Sequence, residues 1–374
     1  MKVVIVMDKF KESLSAKEAA SIISAGLKSS GGDFLICNIP LADGGDGSID
    51  ALEGIDGSKR VITKTIDPLG RDIEVNVLVI GKRAICEMAQ STGLTLLTKE
   101  ERNPLYTSSY GLGIVIKAIA DMEIDEVVVG IGGSATNDCG VGMLQALGYR
   151  FLDENGDILS GGALCGEDLI KIAGIDDSLA EESVRRLKIT VASDVTNPLK
   201  GVYGATKVYG YQKGATQAII EELETGVEKF AGVAAKFLCR DYSAIAGAGA
   251  AGGVGFAFAA FLGAELRQGW RIVFEMLNVE REIEQADLVI TGEGRVDGQS
   301  LSGKLLDGVC TICAKHGKRL WVICGDNLLT EKELERAGVE KLFSISQIEP
   351  VKEIAIKNAR QYLYEIAGRA PITI

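Results

Sequence analysis

The chain alternates between short β-branched apolar runs and longer segments in which apolar residues recur at helical spacing. Residues 2–7, with a continuous apolar run from Val3 to Met7, read as a strand. Ser15 and Glu18 then stand three apart at the head of an amphipathic stretch reaching about Lys28, the spacing of a capping box that opens a helix. A second strand over 34–39 runs into Pro40-Leu41-Ala42-Asp43-Gly44-Gly45-Asp46-Gly47 and a short helix. This opening is that of a doubly wound α/β sheet.

The texture changes between 59 and 88. Three strand-like segments, 59–66, 71–80 and 83–88, are separated only by Asp67-Pro68-Leu69-Gly70 and Gly81-Lys82. Such hairpin spacing predicts antiparallel or mixed pairing and a domain boundary near residues 65–75. Alternation returns with helix 107–121, strand 126–131, helix 138–147, strand 187–193 and helix 216–239. A glycine-rich stretch at 246–255 leads into an apolar helix. From 286 onward the pattern reads strand, helix 303–315, strand 319–324, helix, strand 340–345, helix 350–367. The tail matches the N-terminus in texture and the middle does not. The expected architecture is two α/β domains: residues 1–70 plus 280–374 as a discontinuous doubly wound parallel sheet, and 71–279 inserted with a mixed sheet.

Composition narrows the partners. The chain has 374 residues, 47% of them hydrophobic, with 40 Lys+Arg against 52 Asp+Glu and a formal charge of −12. That balance argues against nucleic acid or an anionic membrane surface and is compatible with a small anion held by a few local cations. The leading apolar run is too short for a signal peptide and no run approaches membrane-spanning length, so the cytoplasm is the expected location. The single histidine, His316, sits at an expected helix end and leaves no three-histidine metal site. Cys310 and Cys313 form a C-x-x-C without a second pair, within a helical pattern; packing explains them better than zinc or redox chemistry.

The chemistry concentrates at strand ends. Strand 126–131 empties into Gly132-Gly133-Ser134-Ala135-Thr136-Asn137-Asp138, where glycines let backbone amides turn inward and a following helix adds partial positive charge. Asp43 and Asp46, Asp138, Asp194, and Glu293 with Asp297 each follow an expected strand. In an open parallel sheet such ends face the ligand crevice, and clustered carboxylates suit Mg²⁺ and phosphate chemistry, although Asp–Gly pairs also simply make turns. Lys11, Arg71, Lys213 and Arg295 are the cations lying among turn residues. Two other motifs fail on context. Gly247–Gly252 satisfies GxGxxG without a preceding strand, and Gly298–Leu305 nearly matches a P-loop but ends in leucine where a hydroxyl is needed.

Ten ordered blocks resemble the class I glycerate kinase family: FKESLSA (10–16), PLADGGDGS (40–48), DPLGR (67–71), EMAQSTGL (87–94), NPLYTSSYG (103–111), GIGGSATNDCGVGMLQALG (130–148), SDVTNPL (193–199), QKGAT (212–216), GAGAAGG (247–253) and TGEGRVDGQSLSGK (291–304). The resemblance implies a two-domain α/β fold with one flavodoxin-like, discontinuous part. It also implies ATP- and Mg²⁺-dependent phosphorylation of D-glycerate, with 2-phosphoglycerate the expected product. On that basis Gly132, Gly133, Ser134, Ala135, Thr136 and Asn137 are expected at the ATP phosphates with Lys213 nearby. Asp46 and Asp297 are expected to hold Mg²⁺, and Lys11 and Arg295 to bind glycerate or the transferring phosphoryl group. Asp194 is the candidate base. The alternatives are a kinase of another small hydroxy acid and a non-catalytic nucleotide- or sugar-acid-binding protein on the same scaffold.

Overall fold

The computed structural model describes residues 1–41, 48–301 and 304–369. Among them the strands of the two main sheets are, in chain order, β1 (Lys2–Met7), β2 (Leu35–Pro40), β3 (Ser58–Ile66), β4 (Asp72–Ile80), β5 (Arg83–Glu87), β6 (Glu126–Gly130), β7 (Lys188–Ala192), β8 (Glu265–Arg267), β9 (Leu288–Gly292), β10 (Arg319–Cys324) and β11 (Lys341–Ser344). They divide between two compact units. One is built from the N-terminal segment and the chain from Trp270 onward; the other is essentially Glu53–Gly269.

The first unit holds a 5-stranded sheet in the order β11-β10-β9-β1-β2, with every neighbouring pair parallel. Counted along this unit, the order is 2-1-3-4-5, the flavodoxin-like arrangement. Val3, Val4, Ile5, Val6 and Met7 are all buried, because a parallel strand covered on both faces has no polar side to show. Val3, Ile5 and Met7 share a core with Ile23, Leu27, Trp321 and Leu363. Helix Ala16–Ser29 opens with the expected capping box, Ser15 and Glu18 each bonding the other's backbone.

The second unit holds a 6-stranded sheet in the order β8-β7-β6-β5-β4-β3. β3–β4 and β4–β5 are antiparallel, while β5, β6, β7 and β8 run parallel. The fold is therefore mixed α/β, one sheet parallel and one mixed. The pairing of β3 with β4 runs from Ser58↔Ile80 to Ile66↔Asp72. A boundary near 65–75 would part these two strands, whose turn at Asp67–Arg71 is closed by its own backbone bonds. Val127, Val129, Ile189 and Val191 pack with Phe230, Phe256 and Phe258 in this unit's core.

One local difference bears on function. The helix expected from 138 begins only at Val141 and ends at Ala146. Cys139 (φ 52°) and Gly140 (φ 75°) both take left-handed backbone, so the chain turns twice before it can coil.

Candidate active site

In the first unit the chemistry gathers where the strand order reverses. β1 and β9 are neighbours, so the loops leaving them emerge side by side at the carboxyl edge, the usual ligand crevice of this topology. The Asp8 amide donates to the Gly292 carbonyl at 2.9 Å. A Cβ on Gly294 would lie 3.1 Å from the Lys11 backbone nitrogen and 3.2 Å from the Phe10 Cα, so a side chain there would press on the first loop's backbone. The Gly325 and Asp326 amides donate to the Glu293 and Gly294 carbonyls at 3.2 and 3.0 Å, pinning the second loop from the β10 side.

This brings Lys11, Glu293, Asp297, Ser300 and Lys304 into one electrostatic group. Burial pushes the Glu293 carboxyl up and the Asp297 charge adds to that push, while the Ser300 bond, Lys304 and Lys11 oppose it. Asp297 accepts the Gln299 amide at 2.9 Å through Oδ1, and its own amide donates to Ser300 Oγ at 3.2 Å. Arg295 and Lys11 are exposed. Glu293 and Lys304 were not among the expected binding residues. The signal for Lys304 was present, since Gly298-x₄-Gly303-Lys304 puts it at the lysine position of the near-P-loop. Among the described residues no group of three or more His, Cys, Asp or Glu side chains could hold a metal. Asp46, the expected partner of Asp297, lies outside the described residues, as do Asp43 and Ser302.

In the second unit the glycine-rich turn after β6 is set against the 92–94 segment. The Ala135 amide donates to the Thr92 carbonyl at 2.9 Å and the Leu94 amide to the Gly133 carbonyl at 2.8 Å. Gly132 and Gly133 remain exposed, whereas Ala135, Thr136 and Asn137 are fully buried. The Ala135 amide is thus committed to the protein and is not one that turns toward an anion. Beneath the turn lies Lys213, 2% exposed. Its Nζ donates to Ser134 Oγ at 2.9 Å and to the Thr136 carbonyl at 2.7 Å. Burial pulls this amine down to about 7, with the Asp138 charge working in the other direction. Thr136 Oγ1 and Asn137 Oδ1 are buried with no hydrogen-bond partner, although Asn137 Nδ2 donates to Thr206 Oγ1 at 3.0 Å. A buried polar atom without a partner costs stability and commonly marks a place where something else binds.

The helix that follows offers no anion site, which corrects the expected cradle. Its first amides are occupied from inside by the Asp138 carboxylate, which accepts Gly140 at 3.0 Å and Gly142 at 3.4 Å. Asp138 also accepts the Ser109 amide at 2.8 Å and its hydroxyl at 2.7 Å. Completely buried, it does not face a crevice as the strand-end reading expected.

The remaining candidates separate clearly. Asp194, exposed on the turn after β7, accepts the Gly269 amide at 2.9 Å through Oδ1. Arg71 is taken up structurally by Asp67 and by Glu101 at 2.7 Å. The GxGxxG stretch is a packing device: a Cβ on Gly252 would meet the Thr136 carbonyl oxygen at 2.0 Å. Cys310 and Cys313 are buried, with thiols pushed up to about 12 by desolvation. His316 bonds Glu280 at 2.9 Å at its helix end.

The chain is similar to known proteins over most of its length. A family model described as the glycerate kinase family matches residues 3–372. The chain is 39% identical over 371 residues to a glycerate kinase from Bacillus subtilis strain 168, covering 98% of this chain and 96% of that one. It is 41% identical to a glycerate 2-kinase from Escherichia coli K12 over 350 residues, or 92% and 90% of the two chains. A crystal structure from Salmonella typhimurium LT2 carrying the name glycerate kinase 2 superposes with a TM-score of 0.85 at 40% identity, covering 98% of this chain and 96% of that one.

Proposed function

The chain belongs to the glycerate kinase family, and from that premise we propose that it transfers the γ-phosphoryl group of ATP to the 2-hydroxyl of D-glycerate. The observation that carries the reading is the Lys213 amine bound to Ser134 and Thr136 beneath the exposed Gly132-Gly133 turn. A buried amine beside unpaired polar atoms suits a polyanion, whose charge favours the ammonium form where screening is weak. Gly132, Gly133, Ser134, Thr136 and Asn137 with Lys213 take the ATP phosphates. Ala135 contributes by anchoring the turn to Thr92.

Lys11 and Arg295 bind the glycerate carboxylate or the phosphoryl group in transfer, Arg295 through its planar fork. Asp194 orients the substrate hydroxyl and accepts its proton as the oxygen bonds to the γ-phosphorus. The bond from that phosphorus to the β-bridging oxygen breaks and ADP departs. Asp297, with Asp46, would hold Mg²⁺. The mutual repulsion of Glu293 and Asp297 supports that choice, because a divalent cation relieves it. When bound, the ion neutralises charge on the transferring phosphoryl oxygens. The other steps need only positioning and fixed charge, so a catalytic histidine is unnecessary.

The test is ADP release with ATP and Mg²⁺ across D-glycerate, L-glycerate, lactate and tartronate. Strongest turnover on D-glycerate is expected. Preference for another acid would reassign the substrate, and nucleotide binding without acid-dependent ADP release would favour a non-catalytic binder.

A further inference from the structure

Lys213 grips the glycine-rich turn at one end, and another residue of the same short stretch grips it at the other. Thr206 lies ahead of Lys213 on the helix Ala205–Tyr209, and both side chains are buried. A tight turn at Gly210 joins them: the Gly210 amide donates to the Thr206 carbonyl at 2.8 Å and the Lys213 amide to the Gly210 carbonyl at 3.0 Å. A Cβ on Gly210 would meet the Thr206 carbonyl oxygen at 2.5 Å, so this close return needs a glycine. Lys213 Nζ donates to Ser134 Oγ and the Thr136 carbonyl, while Thr206 Oγ1 accepts Asn137 Nδ2 at 3.0 Å. The helix is held from behind, by the Ala205 amide on the Leu199 carbonyl at 3.0 Å and by Lys207 paired with the buried Glu224 at 3.5 Å.

The bond to Asn137 is only half of what these two side chains can make. Thr206 accepts in it, so the hydroxyl proton is unused there, and Asn137 Oδ1 is buried without a donor. Placed this way round, the amide turns an acceptor to its unpartnered side, which repels a phosphate oxygen. A half-turn about Cβ–Cγ exchanges the two ends at little steric cost, because that torsion is broad and roughly two-fold. Thr206 then donates to Oδ1, and the N–H groups of Nδ2 stand where the bare oxygen was. A hydroxyl serves both orientations because it accepts and donates; a methyl serves neither. We propose that Thr206 is a positioning residue for the nucleotide: its hydroxyl holds the Asn137 amide and, with nucleotide bound, takes the amide oxygen so that Nδ2 donates to a phosphate, directly or through one ordered water. The proposal rests on the assignment of the 132–137 turn to those phosphates.

The test is the affinity of the full chain for ADP by calorimetry, with KM for D-glycerate measured alongside, in wild type, Thr206→Val, Thr206→Ser, Asn137→Asp and Asn137→Ala. Thr206→Val keeps the shape and loses the hydroxyl. Its ADP affinity is expected to fall about tenfold, the worth of one hydrogen bond, with KM for D-glycerate within about twofold of wild type. Thr206→Ser restores the hydroxyl and is expected to restore the affinity, which a role for the threonine methyl in packing would not. Asn137→Asp offers acceptors at both ends and is expected to bind ADP no better than Asn137→Ala; it decides the matter if Thr206→Val does not fold. In an Asn137→Ala background Thr206→Val lowers the affinity no further. Wild-type affinity in folded Thr206→Val, no recovery in Thr206→Ser, or tight ADP binding by Asn137→Asp overturns the proposal. If Asn137→Ala and Lys213→Met both bind ADP like wild type, the phosphate assignment itself falls, and the proposal with it.

Discussion

Single side chains carry the sharpest expectations. Asp194→Asn removes the proton acceptor and should lower kcat by about 10²-fold or more, the usual worth of a general base. Its circular dichroism should stay that of wild type, since an amide oxygen can still accept from Gly269. Near-normal turnover in that folded variant takes the role from Asp194. Lys11→Ala is expected to raise KM for glycerate while KM for ATP stays within about twofold, as loss of one carboxylate contact predicts; the reverse pattern would move Lys11 to the nucleotide. At this scale the sequence displayed residue types well and orientations poorly. Lys213 stood out as a cation among turn residues, but its burial involves segments remote in chain order: its amine donates to Ser134 and Thr136, and the next residue, Gly214, lies close against the Arg102 carbonyl. Asp138 had the same strand-end setting as Asp194, yet Ser109, on a different segment, turns it inward. Arg71 looked available until Asp67 and Glu101 were in place around it.

Elements were more legible, because apolar periodicity reports which faces are covered. The unbroken runs of β1, β9 and β10 announce strands buried on both sides, and the close hairpins of β3, β4 and β5 announce antiparallel pairing. Less visible was where a helix starts after a turn. At 138–140 the left-handed Cys139 and Gly140 delay it, since the Asp138 bonds to Gly140 and Gly142 favour a turn over a first helical residue. The glycine-rich stretch at 247–253 gives a prediction at the same scale. Gly252 has φ 69°, and a Cβ there would press on the Thr136 carbonyl at 2.0 Å. Gly252→Ala should therefore destabilise the protein by about 2 kcal/mol or more, from left-handed strain together with overpacking. It should also weaken nucleotide binding, because the 132–137 turn must shift. An unchanged urea midpoint would mean that the stretch yields without disturbing the turn.

For the whole molecule, a charge of −12 leaves little general attraction for anionic substrates, so the few cations set among turn residues must act locally. One of them should imprint on stability. Lys213 titrates near 7 when folded against an ordinary 10.5, so between those values the unfolded chain holds the extra proton. Stability then rises with pH across that window. Denaturant midpoints at pH 7 and 9.5 should show wild type gaining on Lys213→Met; parallel behaviour would mean that the lysine is not held as described. The claim on which all of this depends is the reaction itself. It is tested most directly by ³¹P NMR of the chain incubated with ATP, Mg²⁺ and D-glycerate, following both products. The account predicts ADP and 2-phosphoglycerate appearing in equal amounts. A phosphate ester at the 3-position would contradict the assigned acceptor, and ADP accompanied only by inorganic phosphate would contradict transfer to glycerate altogether.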